Sequence, residues 1–346
     1  MEGAARWSIH LCSWHDGQHV LDFLSSVDQQ AEKNVQVVIV DHAQTQGVTE
    51  QIRSGRRDMV VLRNAFDRGF VRSHEQAITF ALSRWSVDVM DDRYILITHP
   101  DVLLEPHLLA RFEQMFTQDS TLVALGPKIL RATMQAQEDG ERSVQFSDEI
   151  ECVGLAMGKS RHLLARGGGD EDRGQYHDLD RRTLPSPVCV AFRASFLHEQ
   201  KERGGCLRDY LPETLSVIDL LWRAKLQAKG VLVLPDAVVW HHAHHHQPLD
   251  KNRKKAYKAW KGSEQDDVVS ALFLLEIANG FVGFFFLHLG WLFLGAVRFF
   301  GQMILQPSKF KRWMAGLRSL SRAITWRFRD KKDWKVSFGA VRTWFV

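Results

Sequence analysis

The 346-residue chain is 45% hydrophobic, 25% charged and 10% aromatic, with four cysteines and a net charge of +4. That composition excludes collagen-like, disulfide-scaffold and wholly disordered classes, and the length allows about two domains. Cys12, Cys152, Cys189 and Cys206 form no CxxC pair, which argues against a zinc knuckle and for a reducing compartment.

The opening MEGAARWSIHLCSW lacks a basic segment followed by a long apolar one, so no secretory signal is expected and the N-terminal part is expected to fold in the cytosol. Ile9–Cys12, Val35–Val40 and Met59–Leu62 are short runs rich in β-branched residues, and His19–Val27 and Gln76–Leu82 between them carry apolar residues at helical spacing. Ile95–Thr98 and Leu122–Leu125 add further strands. Strands apolar on both faces and separated by helices predict a parallel sheet covered on both sides, with its ligand crevice at the carboxyl ends of the strands. From about Lys128 to Pro185 the chain is polar and glycine-containing, and reads as a long excursion over that face. Val188–Phe192 predicts a strand, Val217–Gln227 a helix, and Val231–Leu234, Pro235 and Ala237–Trp240 a last strand running into His241.

The residues just after these strands carry the candidate chemistry. Asp41 follows Val35–Val40, where a carboxylate accepts hydrogen bonds from a base or ribose; a turn or N-cap role is equally open. Asp101, in YILITHPDVLLEP, suits a hard cation bridging two phosphates, and a turn aspartate is the alternative. Trp240 leads into five histidines within the next six residues, of which His241 is the candidate ligand and the rest read as solvated loop. RGGGDEDRGQY, Arg166 to Tyr176, offers close backbone approach and a guanidinium for a diphosphate, or is simply an acidic loop. It has no P-loop order, so triphosphate hydrolysis is not indicated.

From about Ser8 to His242 the order of features resembles bacterial glycosyltransferase family two, with the GT-A fold and rhamnosyltransferase-like members. SIHLCSWHDGQHVLDFLSSVDQQ is similar to its opening strand and helix, VQVVIVDHAQTQG to its Asp-Asn-x-Ser-x-Asp-Gly strand end, and DRGFVRSHEQAI to its Asn-x-Gly-Phe helix start. YILITHPDVLL is similar to the metal-aspartate strand and LVALGPKIL to the strand after it. IDLLWRAKLQAKGVLVLPDAVVWHH is similar to its Asp-Leu-x-x-Arg helix and Pro-x-Ala-x-x-x-His strand. The resemblance implies a Rossmann-like, mostly parallel α/β sheet flanked by helices over residues 1–248. It makes Asp41 a nucleobase contact, Asp101 the metal carboxylate and His241 a second metal or diphosphate contact, with Arg63 and Arg173 completing the donor set. Gly168, Gly169, Gln175 and Arg223 become acceptor or loop residues. The implied cofactor is Mn²⁺ or Mg²⁺, the implied donor a UDP- or dTDP-sugar, and the implied acceptor lipid-linked or polysaccharide.

Several positions depart from the family. His42 replaces its Asn, Gln46 its second Asp and Glu75 its helix-start Asn. Val217 stands where the general base belongs, which leaves Asp219, Glu213 and Asp209 as candidate replacements. Two functions therefore stay open: a transferase with a relocated base, or a catalytically silent glycosyltransferase-like scaffold at the membrane.

Beyond Pro248 the composition changes. Six Lys/Arg lie within Lys251–Lys261, Ile277–Val297 is a 21-residue uncharged run, and Arg298–Val346 carries +10 against −6 for the rest. Residues 249–346 are expected to form a helical membrane-association region at the cytoplasmic face, as a shallow hairpin, an interfacial helix or a span, and the alternative is a helical cap packed on the catalytic domain. Trp313, Leu317, Leu320 and Ile324 recur at helical spacing, with Trp326, Trp334 and Trp344 as interfacial anchors. Nucleic acid is not an expected partner, since the apolar run has no role there; the oligomeric state is left open.

Overall fold

The computed structural model describes residues 5–13, 17–42, 59–136, 142–158, 163–211, 213–242, 293 and 310–345. Strands β1 (Trp7–Ser13), β2 (Val35–Asp41), β3 (Met59–Arg63) and β4 (Tyr94–Thr98) pair side by side in the order β3-β2-β1-β4, all parallel. Every residue of β1 and β4 is buried, which is why these segments read as continuous apolar runs rather than alternating ones. Helix α1 (Gly17–Asp28) turns Val20, Phe23, Leu24 and Val27 inward at three- and four-residue spacing. Helix α2 (Gly69–Ser83) begins at Gly69, whose φ of +71° lies in the left-handed region and whose amide donates to the Asp67 carboxylate at 2.7 Å.

The chain continues through β5 (Val102–Leu104), α3 (Leu108–Gln118), β6 (Leu122–Ala136), β7 (Arg142–Cys152), β8 (Leu155–Met157) and β9 (Leu163–Ala165). Then follow β10 (Cys189–Arg193), α4 (Ala194–Glu202), α5 (Glu213–Leu226) and β11 (Gly230–His242). The main sheet has the order β3-β2-β1-β4-β10-β6-β11-β5, with β7 pairing β6. Strand β10 runs antiparallel to both neighbours, so β4, β6 and β11 point the same way and present their carboxyl ends on one edge.

The region from Lys128 to Pro185 is not the structureless excursion its polarity suggested. It contains the long β6–β7 ribbon and the small β8–β9 pair. Along β6, the adjacent Ile129 and Leu130 are both buried, in separate clusters, whereas further out Ala132 is buried and Thr133 exposed, so only the outer part of the ribbon gets by with one apolar surface.

At the C-terminus, α6 (Phe310–Asp330) and α7 (Phe338–Arg342) dock on the α/β unit. Asp330 pairs with Arg208, Asp333 meets Arg203 at 2.7 Å, and the Lys335 amide donates to the Leu226 carbonyl. Trp326 stacks beneath Arg208, and Trp344 meets Trp222 edge-on at 5.4 Å. Trp326, Trp334 and Trp344, expected as membrane anchors, are half-buried and pack against the protein core. Apart from Phe293, the run 277–297 lies outside the described residues, as do Gln46 and the histidines after His242. Among the described residues no helix is long and apolar enough to cross a membrane.

Candidate active site

The carboxyl ends of β4 and β11 bring three side chains together: His99, Asp101 and His241 offer ligand atoms within 4.8 Å of one another. The fold explains the convergence. His99 and Asp101 leave β4 two residues apart, and β5 turns back to pair with β11 so that His241 lies opposite Val102. The His242 amide donates to the Asp101 carbonyl at 2.8 Å and fixes the crossing.

Two glutamates stand behind the histidines. Glu151 accepts from His241 Nδ1 at 2.9 Å, leaving Nε2 3.4 Å from Asp101 Oδ2. Glu213 Oε1 lies 3.3 Å from His99 Nε2, leaving Nδ1 4.0 Å from Asp101 Oδ1. Glu151 occupies an extra position in β7: Ile129 pairs Cys152 and Leu130 pairs Ile150, so Glu151 is the bulged residue between them. Bulges of this kind re-aim a side chain. Glu213 opens α5, one helical turn before Val217 and on the same face.

Burial alone would raise the Asp101 carboxyl, but the hydrogen bond and charge of His241, with the charge of His99, hold it down at about 2. Burial alone would lower His241, yet its hydrogen bonds to Asp101 and Glu151 and their charges lift it to about 10. Among the described residues, Asp101 Oδ1 is buried with no hydrogen-bond partner. A carboxylate flanked by two imidazoles is the donor set a divalent transition cation takes, so of the two cations the sequence implied these residues fit Mn²⁺ and not Mg²⁺.

Asp41 ends β2, two strands from β4 by way of β1, which at sheet spacing is roughly 10 Å. It is buried and meets Arg63 Nε at 3.5 Å. The Arg63 side chain is half-exposed, so this pair is placed to meet a ligand at the strand ends. His42 beside it is buried and hydrogen-bonded to Ser73 at 3.1 Å. Glu75 accepts from the Leu207 amide at 2.5 Å and pairs with Lys201 at 3.2 Å, which makes it a brace for the segment before α5.

Other sequence candidates are taken elsewhere. Asp219 and Arg223 are fully buried in a network with Arg208: Asp219 meets Arg208 at 3.0 Å and Arg223 at 2.8 Å, and Arg223 also donates to Gln200 and the Cys206 carbonyl. Every charge there faces a partner inside the core, which removes Asp219 as a base and Arg223 as an acceptor contact. Asp209 pairs with Arg72 and Arg322, outside the cluster. Arg173 closes on Glu171 at 2.6 Å within its own loop. Gln175 accepts from the Arg173 amide and donates to the Glu171 carbonyl. The Gly168 and Gly169 amides donate to the carbonyls of Ala165 and Ile150. That turn is a folded edge of β7 beside Glu151 rather than an open phosphate cradle.

Of the cluster, the sequence identified Asp101 and His241 and included Glu213 among three candidate bases; His99 and Glu151 were missed. His99 carried a usable signal, because residues two apart on extended chain share a face. Glu151 carried none, since its position depends on a bulge.

No family model matches the chain, and no curated protein does. Among solved structures, the chain is similar to the mannosyltransferase PcManGT from Pyrobaculum calidifontis in complex with GDP-Man and Mn²⁺, at 17% identity and a TM-score of 0.49, over 95% of this chain and 84% of that one. It is also similar to S. aureus TarS 1–349 in complex with UDP-GlcNAc, at 13% identity and a TM-score of 0.48, over 79% of this chain and 67% of that one. Against the longer S. aureus TarS structure the identity is 15% and the TM-score 0.45, over 79% of this chain and 40% of that one.

Proposed function

We propose that the protein is a glycosyltransferase that moves a sugar from a nucleoside-diphosphate donor to a hydroxyl acceptor. The observation that carries this reading is the His99–Asp101–His241 cluster at the carboxyl ends of the strands, with the Asp41–Arg63 pair alongside it. Asp41 and Arg63 hold the nucleoside, and His99, Asp101 and His241 hold a divalent cation at the diphosphate. That cation, when bound, neutralises the charge of the departing nucleoside diphosphate.

Glu213 takes the acceptor proton. One of its oxygens holds His99, and the side chain is 43% exposed, so it is open to an acceptor, whereas Val217 is buried in the core. As the acceptor oxygen bonds to the anomeric carbon, the bond from that carbon to the diphosphate breaks and the acceptor proton passes to Glu213. The acceptor class we assign is lipid-linked or polysaccharide, at the cytoplasmic face of a membrane. Its support is the basic, apolar composition of residues 249–346.

The reading is tested by release of nucleoside diphosphate from UDP- and dTDP-sugars with membrane-derived glycolipid acceptors. Turnover that vanishes in Asp101→Ala supports it. Nucleotide binding without turnover across the donor and acceptor panel would favour the silent scaffold, which the buried Val217 at the base position recommends.

A further inference from the structure

We propose that the cation centre is built for a nitrogen-preferring transition metal of the Co²⁺ or Zn²⁺ type, ahead of Mn²⁺, and discriminates against Mg²⁺ and Ca²⁺. This rests on the reading above that the cluster holds a cation. Two of its three donors are imidazoles, His99 and His241, and only Asp101 supplies oxygen. Mg²⁺ and Ca²⁺ are bound through oxygen ligands, and Mg²⁺ keeps several waters in near-ideal octahedral geometry. Imidazole favours the later transition metals, for which affinity rises from Mn²⁺ through Co²⁺.

The surroundings of both rings strengthen this preference. A carboxylate on the remote nitrogen of a metal-bound histidine fixes its tautomer and raises its basicity. Here both rings have one: Glu151 on Nδ1 of His241 and Glu213 near Nε2 of His99. The nitrogens left over, His241 Nε2 and His99 Nδ1, are those nearest Asp101. Neither glutamate is a third oxygen ligand in this arrangement, because each is engaged with an imidazole. The proposal turns on His99, since a carboxylate at that position would convert the centre to one dominated by oxygen.

The test is calorimetric titration of the full chain, without nucleotide, with MgCl₂, MnCl₂, CoCl₂ and ZnCl₂. The background is His244→Ala/His245→Ala/His246→Ala, so that those histidines add no second site. Visible absorption of the Co²⁺ form gives an independent readout of nitrogen ligation. The expected result is one site that binds Co²⁺ and Zn²⁺ at least tenfold more tightly than Mn²⁺ and more than a hundredfold more tightly than Mg²⁺. His99→Asp should reduce the Co²⁺ to Mg²⁺ ratio at least tenfold, and Glu151→Gln should weaken Co²⁺ by about 10- to 100-fold. Unchanged thermal unfolding of the metal-free variants would show that neither change acts through the fold. Mg²⁺ binding within a few-fold of Co²⁺, or an unaltered ratio in His99→Asp, would overturn the proposal while leaving the transferase reading intact. Absence of binding by any of the four cations would remove both the selectivity and the cation role assigned above.

Discussion

Among the described residues, a fully buried charge cluster around Asp219 and a half-buried one around Asp101 differ in how completely they are satisfied. Around Asp219, both carboxylate oxygens meet guanidinium groups, Arg208 and Arg223, and Arg208 reaches on to Asp330 of α6. Around Asp101, one oxygen faces His241 and the other is buried without a hydrogen bond. A closed network locks elements together, here α5, the segment before it and the C-terminal helix. An open one leaves a coordination position to be filled. The Asp219 and Arg223 side chains of the Asp-Leu-x-x-Arg pattern are therefore held in the scaffold, and the base we propose, Glu213, lies at the start of the same helix, one turn before Val217.

Stability separates the clusters most strongly. Asp219→Ala leaves two buried guanidinium groups short of a partner and should destabilise the fold by about 3–5 kcal/mol, a large part of an ordinary domain's stability. Asp101→Ala should change the denaturation midpoint far less, because His241 keeps Glu151. Comparable losses in urea unfolding would erase the distinction.

Turnover should respond in the opposite order. Glu213→Gln still offers an oxygen to His99 Nε2 but cannot take a proton, so at saturating cation kcat should fall on the order of 100-fold or more, separately from the weaker cation binding expected when His99 loses its carboxylate partner. Equal losses of turnover and cation affinity would make Glu213 a positioning residue only.

Acid should weaken the sheet through histidines that belong to neither cluster. Burial holds His10 at about 3, and burial, with the charges of His10 and His99, holds His74 well below 6.5. The unfolded chain thus binds more protons between those values. Stability is full above pH 6.5 and falls as pH drops toward 3, with a limiting slope of about 1.4 kcal/mol per pH unit for each histidine. Replacing His10 with Asn should flatten the thermal midpoint's dependence on pH in that window.

A smaller effect is expected on the outer surface of α6. Phe328 is exposed, unlike Trp326 on the docked side, so Phe328→Ser should shift stability by no more than about 0.5 kcal/mol, whereas Trp326→Ala removes the ring under Arg208 and should cost about 2 kcal/mol. Chemical denaturation of the two variants side by side checks this.

The first half of the sheet was legible because burial on both faces writes itself as an apolar run: β2 was read as Val35–Val40 and is Val35–Asp41. The start of β6 was legible at Leu122–Leu125, but its outer half and β7 were not, because a strand needing one apolar face resembles a polar loop when that face is short. Asp101 and His241 were legible from their places at strand ends. Asp219 misled because a motif records which residues occur together and not whether a buried charge is saturated by its neighbours. Arg208, which saturates it, is eleven residues away in sequence and unmarked by any pattern.

Calorimetric titration of UDP and dTDP into the wild-type protein and Asp101→Ala, each with Mn²⁺ present and absent, tests the cation-assisted donor site most directly. Mn²⁺-dependent binding is expected of the wild type, and loss of that dependence in a variant that remains folded. No nucleotide binding by the wild type, or identical Mn²⁺-dependent binding by the variant, would contradict it.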